Sequence, residues 1–126
     1  MTAPSRIYDR IVVTGAAGWL GTAILRRLLG DDPEGGVPPP LQSQARVRAL
    51  VLPGQRIVKP SNARHDLEVV EGDLTDPRTC AALCADMSDG LVLHVAGVIH
   101  PRRTAEFQAV NVEGTRILLE AAVAAG

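Results

Sequence analysis

The segment Thr14-Gly15-Ala16-Ala17-Gly18-Trp19-Leu20-Gly21 places three glycines at a spacing of three between two stretches of different periodicity. Before it, residues 10–14 read RIVVT, an apolar β-branched run with no charge after its first residue. That is the pattern of a strand covered on both faces. After it, residues 19–29 read WLGTAILRRLL, with Leu20, Ile24, Leu25 and Leu28 on one stripe and Arg26 and Arg27 outside it. That is helical periodicity. Between such a strand and such a helix, Gly15 permits a tight turn, Gly18 lets the backbone approach a ligand, and Gly21 lets the helix lie close to the strand. Free N–H groups at the helix start, those of Trp19 and Leu20 among them, combine with the helix dipole into an anion site. A dinucleotide phosphate is the anion that this order of elements favours, and a ligand-free glycine turn is the bland alternative.

The remaining chain continues the alternation. Gly30 ends the first helix, and residues 30–45, rich in proline and glycine, read as a loop insertion. Strands are expected over Val47 to Leu52, closed by Pro53-Gly54, and over Leu67 to Val70. No helical pattern joins them, so that crossover is expected to be a loop or a short helical turn. Asp76-Pro77 supplies an N-cap and a proline at the first helical position, opening a helix that carries Ala81, Leu83 and Cys84 to about Met87. A fourth strand is expected over Leu91 to Val95, and a last helix from about Thr104 to Ala125, with Phe107, Val110, Gly114, Ile117, Leu118 and Ala121 at helical spacing. The order predicts an α/β domain with a parallel sheet, flanking helices and strand order 3-2-1-4.

At these residues the chain resembles the extended short-chain dehydrogenase/reductase family, the NAD(P)-dependent epimerase/dehydratase group. The matching motifs are TGAAGWLG (residues 14–21), EGDLTDP (71–77), HVAG (94–97) and NVEGTRILLEAA (111–122). They stand in family order and span most of the chain apart from the insertion. The resemblance implies a Rossmann domain that binds NAD or NADP, with Gly15, Ala17, Gly18, Trp19, Leu20 and Gly21 at the phosphates. It also implies that Asp73 and Leu74 meet the adenine, and that Val95, Ala96 and Gly97 line the ribose and nicotinamide side. Asp73 as a turn residue bonding its own backbone, and Ala96-Gly97 as small packing residues, are the alternatives. Asn111 resembles the helix asparagine that helps organise a proton relay in this family; bonding of a neighbouring turn is the other reading.

Residues 46–60 contain four bases, Arg46, Arg48, Arg56 and Lys59, and no acid that would hold a ribose 2′-hydroxyl. This tilts the cofactor toward NADP, with Arg56 as the candidate for the 2′-phosphate. The resembled chemistry needs a tyrosine four residues before a lysine, the lysine lowering the phenol's pKa. The one tyrosine is Tyr8 and the one lysine is Lys59, so no such pair exists in these 126 residues. The expectation is therefore an incomplete cofactor-binding portion, inactive alone, of an oxidoreductase or epimerase acting on a small-molecule carbonyl or hydroxyl group. A non-catalytic dinucleotide sensor or protein-interaction domain is the alternative, and a ligand-free remnant the third reading. An incomplete domain would leave the fourth strand as an open edge, prone to form a homo-oligomer or to associate with a missing C-terminal half.

Composition narrows the partners. The net charge of −1 provides no field for nucleic acid or an anionic membrane. The longest nearly apolar stretch, Leu91 to Ile99, is too short to span a bilayer, and the N-terminus lacks an apolar signal core, so a cytoplasmic address is expected. Cys80 and Cys84 share one helix face and read as core filling; His65, His94 and His100 lack zinc-type spacing, so no metal is expected.

Overall fold

The structure, a computed structural model, describes residues 7–30, 41–59, 63 and 65–126, with the backbone alone over 41–44. Four strands, β1 (Tyr8–Thr14), β2 (Leu41–Val51), β3 (Asp66–Glu71) and β4 (Leu91–His94), form one sheet in the order β3-β2-β1-β4. Every neighbouring pair is parallel. The carboxyl ends of all four strands therefore lie along one edge of the sheet. Helix α1 (Trp19–Leu28) follows β1, helix α2 (Pro77–Cys84) follows β3, and a helical segment after β4 ends in α3 (Thr115–Ala125).

The sequence explains which face each residue serves. Strand side chains alternate, so Ile11 and Val13 of β1 join Val47, Ala49 and Val51 of β2 beneath Leu25, Leu28 and Leu29 of the α1 region. Val12 and Leu50 point the other way, into a second cluster with Leu74, Cys80, Leu83 and Leu118. Both cysteines pack there as core, as their shared face predicts. Arg48 takes the same side of β2 as Leu50 and is nearly buried. Its guanidinium donates to the carbonyls of Ala82, Leu83 and Ala85, closing the C-terminal end of α2, and to Glu68 at 3.0 Å. At the other end of α2 the Asp76 carboxylate accepts from Arg78 N at 2.9 Å, the cap that Asp-Pro announces.

Two features differ from the sequence expectation, the start of β2 and the winding of the last helix, while the crossover between β2 and β3 agrees with it. β2 begins at Leu41 rather than Val47, so residues 41–45 belong to the strand and not to the insertion. Their polar composition hides this, because parallel pairing with β1 engages the backbone and tolerates polar side chains. Residues 31–40 of the expected insertion lie outside the described residues. Between β2 and β3 the described residues contain no helix; Gly54 at φ +86 turns the chain, and Gln55 N donates to Leu52 O at 3.0 Å. The last helix is not uniform: Phe107–Gly114 winds as a π-helix before α3 takes over. π turns cluster at functional sites.

Candidate functional site

The turn after β1 is built around two close approaches. Gly15 has φ +65, and a Cβ on it would lie 2.7 Å from Ala96 N and 2.8 Å from Ala96 Cα. The turn thus rests directly on the backbone that leaves β4. Gly21 faces inward from α1, where a Cβ would collide with Gly15 O and lie 2.7 Å from Gly15 C. Only glycine at these positions lets strand, turn and helix meet at this distance. Two loop amides are already engaged, Ala16 N with Leu50 O at 3.2 Å and Gly18 N with Gly15 O at 3.1 Å.

The first turn of α1 is left open. Gly18 is the N-cap and offers no side-chain acceptor, and no acidic residue stands in the first turn. Among the described residues no acceptor meets the amides of Ala17, Trp19 or Leu20. The Trp19 and Leu20 side chains are exposed, at 92% and 50%, and do not plug the turn. Backbone donors and the positive end of the helix dipole are consequently presented to solvent at the carboxyl edge of the sheet. An open groove of about 380 Å³ lies against Ala17, Gly18, Trp19, Thr22 and Arg26. A second, of about 360 Å³, lies between α1 and the residues after β2, where Arg26 and Arg56 both line it with Thr22, Leu25 and Ile57.

The other sequence candidates fall along the same edge with different local roles. Asp73 follows β3, and its Oδ1 accepts from Thr75 N at 2.9 Å and Thr75 Oγ1 at 2.8 Å, the turn geometry given as its alternative reading. The Leu74 side chain is buried in the core below α2 and α3, which leaves its backbone as the part at the edge. Val95, Ala96 and Gly97 continue from β4 against Gly15. Asn111 lies in the π-helical segment, where its Oδ1 accepts from Val98 N at 2.8 Å and its Nδ2 donates to Val98 O at 3.0 Å. It therefore clamps the chain just beyond Gly97.

Beneath this edge runs a set of side chains that motif spacing does not expose. Thr14 Oγ1, fully buried, accepts from Val95 N at 3.0 Å and Ala96 N at 3.1 Å. It also lies 2.7 Å from His94 Nδ1, while His94 Nε2 lies 2.9 Å from Thr115 Oγ1. Thr115 Oγ1 in turn donates to Asn111 O at 2.7 Å. Burial pulls the His94 imidazole below the usual histidine pKa. The available signal was a polar residue at the end of each of two apolar strands, Thr14 in RIVVT and His94 in LVLH.

Comparison with known proteins agrees with this architecture. Residues 11–126 match the model of the NAD dependent epimerase/dehydratase family. The chain is 36% identical over 116 residues to the uncharacterized protein y4nL of Sinorhizobium fredii, covering 92% of this chain and 32% of that protein. It is 34% identical over 116 residues to a ceramide reductase of Caulobacter vibrioides, again covering 92% and 32%. Among solved structures, a uronate dehydrogenase from Agrobacterium tumefaciens complexed with NAD superposes with a TM-score of 0.59 at 28% identity, covering 92% of this chain and 37% of the other. The chain spans about a third of the length of the curated relatives it matches. With the glycine turn, the parallel sheet and the match over residues 11–126 in agreement, this chain belongs to the NAD dependent epimerase/dehydratase family.

Proposed function

We propose that this chain holds a nicotinamide dinucleotide across the carboxyl edge of its sheet and is the cofactor-binding portion of an oxidoreductase or epimerase. The observation that carries the reading is the uncapped start of α1, held against the end of β4 by the close approaches at Gly15 and Gly21. The residues present fit the group. The amides of Ala17, Trp19 and Leu20, with Gly18 leaving the backbone clear, would receive the pyrophosphate. Val95, Ala96 and Gly97 would flank the ribose and nicotinamide, and Asp73 with the Leu74 backbone would border the adenine. Arg56 and Arg26 line one groove beside α1, and their paired positive charge supports NADP over NAD as the better ligand. The bound dinucleotide supplies hydride chemistry; this chain's residues bind, orient and exclude water.

The proton-transfer pair belongs elsewhere. Tyr8 lies at the start of β1, at the opposite edge of the sheet from the glycine turn, and Lys59 follows β2, so no tyrosine can be primed by a lysine here. The 126-residue chain alone is therefore inactive in our reading, and a segment or partner supplying that pair completes the reaction. Asn111 acts in support, fixing Val98 and thus the course of the backbone past Gly97. Relatives as different as a ceramide reductase and a uronate dehydrogenase share this unit, which supports assigning substrate choice to what lies outside it. Titration of the chain with NADPH and NADH, followed by the fluorescence of its one tryptophan, Trp19, tests the proposal. Saturable quenching, tighter for NADPH and weakened for NADPH alone by Arg56→Ala, is expected. No saturable change with either dinucleotide refutes the site, and equal affinity for both refutes the NADP preference.

A further inference from the structure

We propose that His94 is a positioning residue for the dinucleotide site, holding the Thr14 hydroxyl as an acceptor so that the end of β4 stays locked on the glycine turn, and that protonation of His94 releases this lock and weakens cofactor binding. The inference rests on the function proposed above for the binding half of its test. Its geometric basis is a hydrogen-bond count. Thr14 Oγ1 receives two backbone donors, Val95 N and Ala96 N, which occupy its two lone pairs. Its own hydrogen then has one place to go, His94 Nδ1 at 2.7 Å, so Nδ1 must be the unprotonated ring nitrogen. The proton sits on Nε2, which donates to Thr115 Oγ1, and Thr115 passes its hydrogen to Asn111 O. Every hydroxyl in the relay thus has its direction set by the neutral Nε2–H tautomer.

A proton added at Nδ1 reverses one link. Thr14 Oγ1 would then face three donors with no acceptor for its own hydrogen, and either the imidazolium or the Val95 and Ala96 amides must give way. Ala96 is the residue whose backbone Gly15 touches, and Val98, two residues on, is clamped by Asn111 at the other end of the relay. Loosening Thr14 therefore loosens the floor of the proposed nicotinamide side and the turn that presents the Ala17, Trp19 and Leu20 amides. Burial opposes the charged imidazole, and no charged group contributes to its shift. From β1 the Thr14 hydroxyl is the group that faces His94; Asp9 and Arg10 stand at the far end of the strand, where Arg10 donates to Ser88 O. The ionisable groups of the helical segment, Glu113, Arg116 and Glu120, pair with one another at the surface. After β4, Glu106 accepts from Arg102 N, and α2 presents the surface pair Asp76 and Arg78.

The test compares the wild-type chain with His94→Gln and Thr14→Val between pH 5 and pH 7.5, using NAD+ as the probe and Trp19 fluorescence as the readout. Glutamine can accept from Thr14 with Oε1 and donate to Thr115 with Nε2, and it does not titrate. Wild-type affinity is expected to fall roughly fivefold toward pH 5, the size of one buried hydrogen bond, while His94→Gln stays flat with near wild-type affinity at pH 7.5. Thr14→Val is expected to bind weakly at both pH values. In parallel, the hydrogen-exchange protection factors of the Val95 and Ala96 amides, corrected for intrinsic rates, should drop toward pH 5 in wild type and hold in His94→Gln. The same pH dependence in His94→Gln as in wild type, by either readout, overturns the proposal. Where NAD+ alone fails to bind at pH 7.5, NADPH takes its place as the probe; failure of the wild type to bind either counts against the proposed function alone, since the amide protection still decides the role of His94.

Discussion

Gly21→Ala is the perturbation whose sign discriminates best. In an exposed helix, alanine in place of glycine stabilises by about 1 kcal/mol. Gly21 is not exposed: its missing Cβ would fall on Gly15 O, 2.7 Å from Gly15 C and 2.9 Å from Ala16 Cα. All three obstacles are backbone atoms, so no rotamer change relieves them. Overpacking of this kind costs about 1–3 kcal/mol, and a backbone obstacle belongs at the upper end, leaving a net destabilisation of about 1–2 kcal/mol after the propensity gain. The alternative is that α1 moves away from β1, which would displace the Trp19 and Leu20 amides, so dinucleotide affinity should fall in the same variant. Urea unfolding followed by far-UV circular dichroism, with Ala23→Gly on the exposed side of α1 as reference, measures the difference. Both variants should unfold at lower urea, the reference by about 1 kcal/mol. A Gly21→Ala chain as stable as wild type, or more so, would refute the close approach on which the glycine turn depends.

Three further outcomes are expected. Arg48→Met should cost about 3 kcal/mol in urea unfolding, because the carbonyls that close α2 lose a buried cation; Glu68→Gln should cost under about 1 kcal/mol, its carboxylate being half exposed. Equal losses from the two would show that the surface ion pair, not the helix closure, is what matters. Burial pushes the Cys80 thiol up to about 11 and raises that of Cys84, so both should resist iodoacetamide at pH 8 in the native chain and react readily in urea; rapid native alkylation would contradict their packing. His94 has a native pKa below the ordinary 6.5, so the unfolded chain takes the proton first and stability, full above pH 6.5, declines as pH falls through the native value. Thermal melts between pH 7.5 and pH 5 should show this decline in wild type and a smaller one in His94→Gln, and a melt unchanged over that range would contradict it.

The primary structure alone determined the strand, turn and helix around Thr14 to Gly21, the parallel order β3-β2-β1-β4 and the family. These are legible because they depend on local properties: a β-branched run buried on both faces, a 3.6-residue stripe, and glycines where a Cβ has no room. The start of β2 at Leu41 was not legible, since pairing with β1 engages the backbone whatever the side chain. Nor was the π-helical winding of 107–114, or the division of Asp73-Leu74 into a carboxylate that serves its own turn and a side chain that serves the core. Tertiary structure alone decided what Thr14 and His94 do. Eighty residues separate them, and only pairing of β1 with β4 brings their polar atoms to 2.7 Å, where their hydrogens must choose partners. Spacing along a chain reports which face a residue takes, whereas the direction of a hydrogen bond depends on every group that competes for it in space.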